Sequence, residues 1–175
     1  VLFIGEAPGQ SEDVIGQPFV GLSGALLDDL VASTTAKLTK PFTYGVTNAV
    51  VCTPFLPGEG RAIIGTPTED HIENCSDRLF EMIEALDPKI LVLLGQVAAS
   101  AIPKSFADDW RKKSRYIIKL SHPAFILRKG GRLSQLYADT VQSLKRGIID
   151  AREKGYTVKE KQSRVKGTKK RVGLR

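Results

Sequence analysis

Residues 1–30 read VLFIGEAPGQSEDVIGQPFVGLSGALLDDL, and the succession of an apolar run, a Gly- and Pro-rich loop and a second apolar segment decides the fold. Val1, Leu2, Phe3 and Ile4 form a short run closed by Gly5. Such a run suits a central parallel strand buried on both faces, although its length also fits a buried helix. Glu6 then falls at the carboxyl end of the strand, the edge at which open α/β sheets bind ligands. Gly5, Pro8 and Gly9 predict a tight turn there, because glycine tolerates positive φ and proline pins its own. Glu6, Glu12 and Asp13 bring three acids into this loop, either as a solvated acidic loop or as a carboxylate set for chemistry. Phe19 lies between Gly16 and Gly21. As an exposed ring it can stack on a flat ligand, or it can staple the loop to the core. Ser23 is placed to cap a helix running from Gly24 toward Thr34.

Outward from this stretch, Phe42 to Val51 after Pro41 reads as a strand ending near Thr47 and Asn48. The Asn48 amide carries a donor and an acceptor, so at the ligand edge it can read a polar ring, or it can simply form a turn. Thr53 to Gly65 is rich in Pro and Gly without strand or helix period, and reads as a loop. Pro67-Thr68-Glu69-Asp70 opens a helix with acids in its first turn. Ile72, Cys75, Leu79, Met82, Ile83 and Leu86 recur along it at helical spacing until Asp87-Pro88. His71 lies one residue off this stripe and reads as a surface residue. Ile90 to Leu94 forms a strand closed by Gly95, followed by a short helix over Val97 to Ile102. Tyr116 to Leu120 forms the last strand, followed by Ser121-His122-Pro123. A His before Pro is held out of helix and leaves the sheet edge in an extended conformation, to serve structure or chemistry. Leu133 to Arg152 closes the domain as an amphipathic helix. Alternating strands and helices predict a three-layer α/β/α sandwich with a central, mainly parallel sheet of about four strands.

With 175 residues and 42% hydrophobic content, the chain is long enough for one domain with its own core. Cys52 and Cys75 are its two cysteines, too few for a secreted disulfide scaffold and suited to a reducing compartment. No apolar run reaches the length of a membrane span, and no leader precedes the first strand. An intracellular, cytoplasmic protein without a membrane partner is therefore expected. The chain begins inside a strand without an initiating Met, so a further amino-terminal segment is expected to precede it. The net charge of +7 is uneven: residues 151–175 carry ten Lys or Arg against Glu153 and Glu160, leaving residues 1–150 at −1. A domain over 1–150 and a basic, disordered tail over 151–175 are expected. The tail suits a phosphate backbone or serves as a solubilising terminus. The Gly-rich loop lacks the Lys and Ser/Thr of a P-loop and the spacing of a dinucleotide fingerprint.

GEAPGQSED over residues 5–13 with GQPFVGLSGALLD over 16–28 resembles the first motif of the uracil-DNA glycosylase superfamily, nearest its iron-sulfur branch, also called family four. TNAVVC over 47–52 resembles that branch's TN-x-V-x-C segment, and HPAFILR over 122–128 resembles the superfamily's second motif. The motifs occur in the right order, and the resemblance covers nearly all of residues 1–150. It implies a DNA repair enzyme, acting as a monomer, that flips uracil out of DNA and hydrolyses its N-glycosidic bond. On this resemblance His122 faces uracil O2. Glu6 holds a water or stabilises the sugar cation, with Glu12 as the alternative. Asn48 reads the uracil edge, and Ala7 and Phe19 belong to the substrate site. Ser121, Pro123, Ala124, Phe125, Ile126, Leu127 and Arg128 contact DNA. Cys52 and Cys75 match two ligands of a [4Fe-4S] cluster whose other two come from an amino-terminal CxxC absent from this chain. Either a longer natural form supplies that pair or the cluster has been lost, since a cluster takes four thiolates. As a residue type, Cys75 is equally a small hydrophobe.

The chain departs from the pattern at two places. Ala7 stands where the best-known branch has an Asp, its strongest water activator, in keeping with the iron-sulfur branch. CTPFLPGEGR over 52–61 has Pro54 and Arg61 but lacks the branch's Pro-Pro and its Asn. A non-catalytic DNA-binding relative is the alternative expectation, distinguished by DNA binding without release of free base.

Overall fold

A computed structural model describes residues 1–56, 63–113 and 115–153 of the chain. In chain order the elements are β1 (Leu2–Gly5), α1 (Gln10–Ile15), α2 (Leu22–Thr35), β2 (Gly45–Asn48), β3 (Phe55–Leu56), β4 (Ile63–Ile64), α3 (Glu69–Asn74) and α4 (Ser76–Leu86). There follow β5 (Ile90–Leu94), α5 (Gly95–Ser100), α6 (Lys104–Lys112), β6 (Tyr116–Leu120), α7 (Pro123–Arg128) and α8 (Gln135–Glu153). The sheet runs β2-β1-β5-β6 with all neighbours parallel. The opening apolar run is thus a strand rather than a helix, because its side chains are buried alternately on two faces. Leu2 and Ile4 pack with Leu79 and Ile83 of α4, Ala98 of α5 and Trp110 of α6. Phe3 packs on the other face with Leu27 and Val31 of α2 and Leu144 and Ile148 of α8. Each large side chain buried this way contributes about 1.5–3 kcal/mol, and the three layers are α/β/α as the alternation predicts.

Several local features depart from the sequence reading. Ser23 lies inside α2, whose N-cap is Gly21. The Gly21 N–H instead donates to Glu12 Oε1 at 2.8 Å, so an acid from a neighbouring helix satisfies the orphan donor. The acidic loop itself contains the short helix α1. Within the predicted loop of 53–65, β3 and β4 form an antiparallel pair, Phe55 opposite Ile64; the residues between them, Arg61 included, lie outside the described residues. The single helix predicted after Pro67 divides into α3 and α4 at Cys75. His71 is at the surface as expected, where its Nδ1 accepts the Thr68 N–H at 3.0 Å in a capping box. α6 was not foreseen; it is held by Phe106 and Trp110, whose rings stack at 5.3 Å. α8 continues to Glu153 with Ala151 fully buried, so the folded part extends past residue 150, and the tail from residue 154 lies outside the described residues. Among the described residues, no helix is long and apolar enough to cross a membrane.

Candidate active site

Because the strands are parallel, their carboxyl ends share one edge. β1 delivers Glu6 there. β2 delivers Asn48, in register with Gly5, and β6 delivers His122 just beyond Leu120. With Ala7, Phe19, Ala124 and Arg128 these residues line one cleft of about 750 Å³. Residues far apart in sequence thus meet, as the motif order implies.

Gly5 lies against two of the cleft's lining residues, Phe19 and Asn48. A Cβ there would lie 2.4 Å from Phe19 Cζ and 2.5 Å from Asn48 Oδ1, so the ring and the amide close over a bare backbone. Phe19 is not exposed: it is 5% accessible and belongs to the core cluster beneath α2. It also lines the cleft, its ring 6.3 Å from the His122 ring and inclined by 29°, so it both staples the loop and offers an apolar wall. Its backbone has φ 57°, a left-handed conformation rare outside glycine. The Phe19 carbonyl fits against α2 only because residue 24 is glycine, where a Cβ would lie 1.8 Å from that oxygen.

His122 is the N-cap of α7, with Pro123 in the first turn. Its Nδ1 accepts the Ala124 N–H at 3.2 Å, which assigns the neutral ring's proton to Nε2. Burial first, then the nearby Arg128 charge, lowers the pKa of His122 to about 4. The same burial raises the Glu6 pKa, and Arg128 opposes that rise. Among the described residues the Glu6 carboxylate has no hydrogen-bond partner, whereas Glu12 is tied to Gly21. Glu12, the alternative catalytic acid, lines the same cleft, and its Oε1 accepts the Gly21 N–H.

Only part of the segment expected to contact DNA is open to solvent. Ile126 is fully buried among Leu26, Leu30, Tyr137 and Val141, and Pro123 is buried as well. Leu127 packs against the same cluster, while Ser121 and Ala124 are half-buried. A helical turn can offer only one side, and here that side carries Phe125, which is 41% exposed. The Arg128 and Lys129 cations lie 5.9 and 5.7 Å from its ring.

Cys52 is exposed and Cys75 half-buried. They supply at most two of a [4Fe-4S] cluster's four thiolates. Among the described residues no group of three or more His, Cys, Asp or Glu could hold a metal ion. The residues of this chain therefore do not by themselves fit the cluster.

The His122 environment yields a titration test. Because folding lowers its pKa, its contribution to stability is present above about pH 6.5 and is lost as pH falls toward about 4. Arg128→Met removes a cation that opposes protonation, so the His122 midpoint, followed by NMR, is expected to rise. A midpoint unmoved by the substitution would disconnect Arg128 from the imidazole.

Fold and cleft define a three-layer α/β/α domain whose polar groups converge at the carboxyl edge of a parallel sheet. The chain belongs to the uracil DNA glycosylase superfamily, whose sequence profile matches residues 1–145. It is 34% identical over 143 residues to the type-4 uracil-DNA glycosylase of Archaeoglobus fulgidus, covering 73% of this chain and 66% of that protein. It is 38% identical over 104 residues to that of Saccharolobus solfataricus (59% and 44% covered). To that of Thermotoga maritima it is 29% identical over 156 residues (83% and 76%). The chain thus spans between 44% and 76% of the length of these relatives.

Proposed function

We propose that this chain is a uracil-DNA glycosylase, which binds DNA with a uracil turned out of the stack and hydrolyses the bond between uracil N1 and sugar C1′. The observation that carries the reading is a neutral imidazole, His122, lining the same cleft as a carboxylate, Glu6, that has no hydrogen-bond partner among the described residues, and a donor-acceptor amide, Asn48. The type-4 relatives support it. A stacked base is out of reach of side chains, so it must leave the helix first. As C1′–N1 breaks, its electron pair passes to uracil, charge builds on O2, and the sugar becomes cationic. His122 Nε2–H donates to O2 as that charge grows, and Glu6 faces the cation, both of which lower the barrier. Water adds to C1′ and releases its proton to Glu6 or to solvent. With Ala7 in place of a second acid, Glu6 acts alone in this role. Asn48 gives its N–H to uracil O4 and accepts the N3–H, and Phe19 supplies an apolar wall. Phe125 and Arg128 on the open side of α7 meet the DNA, as does the basic tail through phosphate contacts.

The test is incubation with uracil-containing and thymine-containing oligonucleotides, scored for abasic sites. Abasic sites are expected in the uracil strand alone; DNA binding without them would refute the enzymatic reading. Base choice is expected to follow Asn48. Asn48→Asp puts an acceptor against uracil O4 and toward the cytosine amino group, so the ratio of uracil to cytosine release should fall by about 100-fold or more, the cost of leaving a buried polar group unpaired. Single-turnover assays on both bases measure it, and an unchanged ratio would remove Asn48 from the base edge.

A further inference from the structure

We propose that Arg78 is a positioning residue that sets the reading edge of Asn48 by bracing the end of β2 from behind; this rests on Asn48 meeting the base, as argued above. β2 is the outermost strand of the sheet. The Ala49 N–H donates to the Gly5 carbonyl at 3.0 Å. By the alternation of a parallel strand, the Asn48 carbonyl therefore turns to the open edge. α4 fills that edge with a guanidinium. Arg78 Nη2 donates to Asn48 O at 2.7 Å and, at 3.5 Å, to Ala49 O, while Nη1 donates to Thr47 Oγ1 at 3.4 Å. One planar fork thus reaches three consecutive residues. Thr47 and Asn48 are themselves only 4% and 6% exposed, and a charged donor at 2.7 Å makes one of the stronger hydrogen bonds available.

Two further observations favour positioning over general packing. Among the described residues, Arg78 Nε is buried without a hydrogen-bond partner, an arrangement that costs stability and is tolerated while both Nη groups are committed to the strand end. On the opposite side the Asn48 amide lies against Gly5, where even a methyl group would collide with it. The residue is therefore held twice, by its carbonyl from α4 and by its side chain against Gly5 of β1. A shift of the strand end would carry the amide across the base, and a displacement of about 1 Å in such a site can cost about 100-fold in rate.

A double-mutant cycle tests the role. Single-turnover base release is measured for the wild type, Arg78→Met, Asn48→Ala and the double variant. Arg78→Met is expected to lower the rate by about 10- to 100-fold when Asn48 is present. With Asn48→Ala the further loss should be under about threefold, because residues acting through one another are not additive. Arg78→Lys, which keeps the charge without the planar fork, should recover part of the rate. Equal losses in both backgrounds, or no loss with Asn48 present, would overturn the proposal. The Asn48 side-chain amide signals in a ¹⁵N–¹H spectrum give a readout that needs no activity. They are expected to move in Arg78→Met and to return toward the wild-type position in Arg78→Lys. If the wild type releases no base, the enzymatic reading fails and the spectrum still decides on Arg78: unmoved Asn48 signals would end the positioning role. Should Arg78→Met not fold, the Lys variant carries both measurements, and either the wild-type rate and signals there or an equal loss in the Asn48→Ala background would count against the fork.

Discussion

His122→Ala is expected to slow uracil release by about 100- to 1000-fold, the usual cost of removing one donor to a developing oxyanion. Affinity for the abasic product should change little. The imidazole is neutral and half-buried, with its Nδ1 already accepting the Ala124 N–H. It therefore has one donor left, and that donor gains most when charge has built up on uracil O2. Single-turnover kinetics on uracil DNA, alongside binding to an abasic duplex, separate the two effects. A variant with the wild-type rate would remove His122 from the chemistry even if the chain released uracil by other means. Loss of binding in step with rate would instead make it a structural cap of α7.

Gly5→Ala is expected to have an effect of similar size, by crowding. The new methyl group would require movement of the Phe19 ring, the Asn48 amide or both, since each stands about 2.5 Å or less from the Cβ position. Neither moves freely: Phe19 is held in a left-handed conformation with its carbonyl against Gly24, and Asn48 is braced by Arg78. Overpacking of this kind costs about 1–3 kcal/mol, which a folded domain survives. The displaced wall and amide should lower single-turnover uracil release by about 100-fold. Denaturation and kinetics on the same variant give both quantities. A folded Gly5→Ala protein with wild-type rate would mean that neither Phe19 nor Asn48 needs its present place.

Much of the domain was legible because its central strands are buried on both faces, and such strands announce themselves as apolar runs. Ile90 to Leu94 is the plainest case. Glu6, Asn48 and His122 were legible as edge residues because each ends such a run or follows it within two residues. Of the short helices, α5 was legible after Gly95, but α1 and α7 were not. α1 and α7 are six residues each, too short for an apolar period to show. α7 also begins at a Pro, which alone marks either a turn or a first helical turn. The division at Cys75 was hidden because the apolar spacing continues across it, and the backbone turns there without breaking the stripe. The part played by Glu12 depends on a contact with Gly21, and that of Arg78 on a contact with Asn48. Both depend on tertiary placement, and an Arg three positions beyond Cys75 carries no local mark of its partner. Burial of Ile126 was likewise a matter of tertiary packing, since its motif does not say which side of the turn meets α2.

The strand order also bears on how the chain is made. Leu2 pairs with Gly45 on one side and with Leu91 on the other, and β6 can dock only against β5. Pairings so distant in sequence make for slow folding, and synthesis proceeds from the amino terminus, so Glu6 and Phe19 emerge first, Asn48 next and His122 last. A nascent chain therefore carries the Glu6 carboxylate before it carries the His122 imidazole, and the cleft closes only when β6 has joined β5.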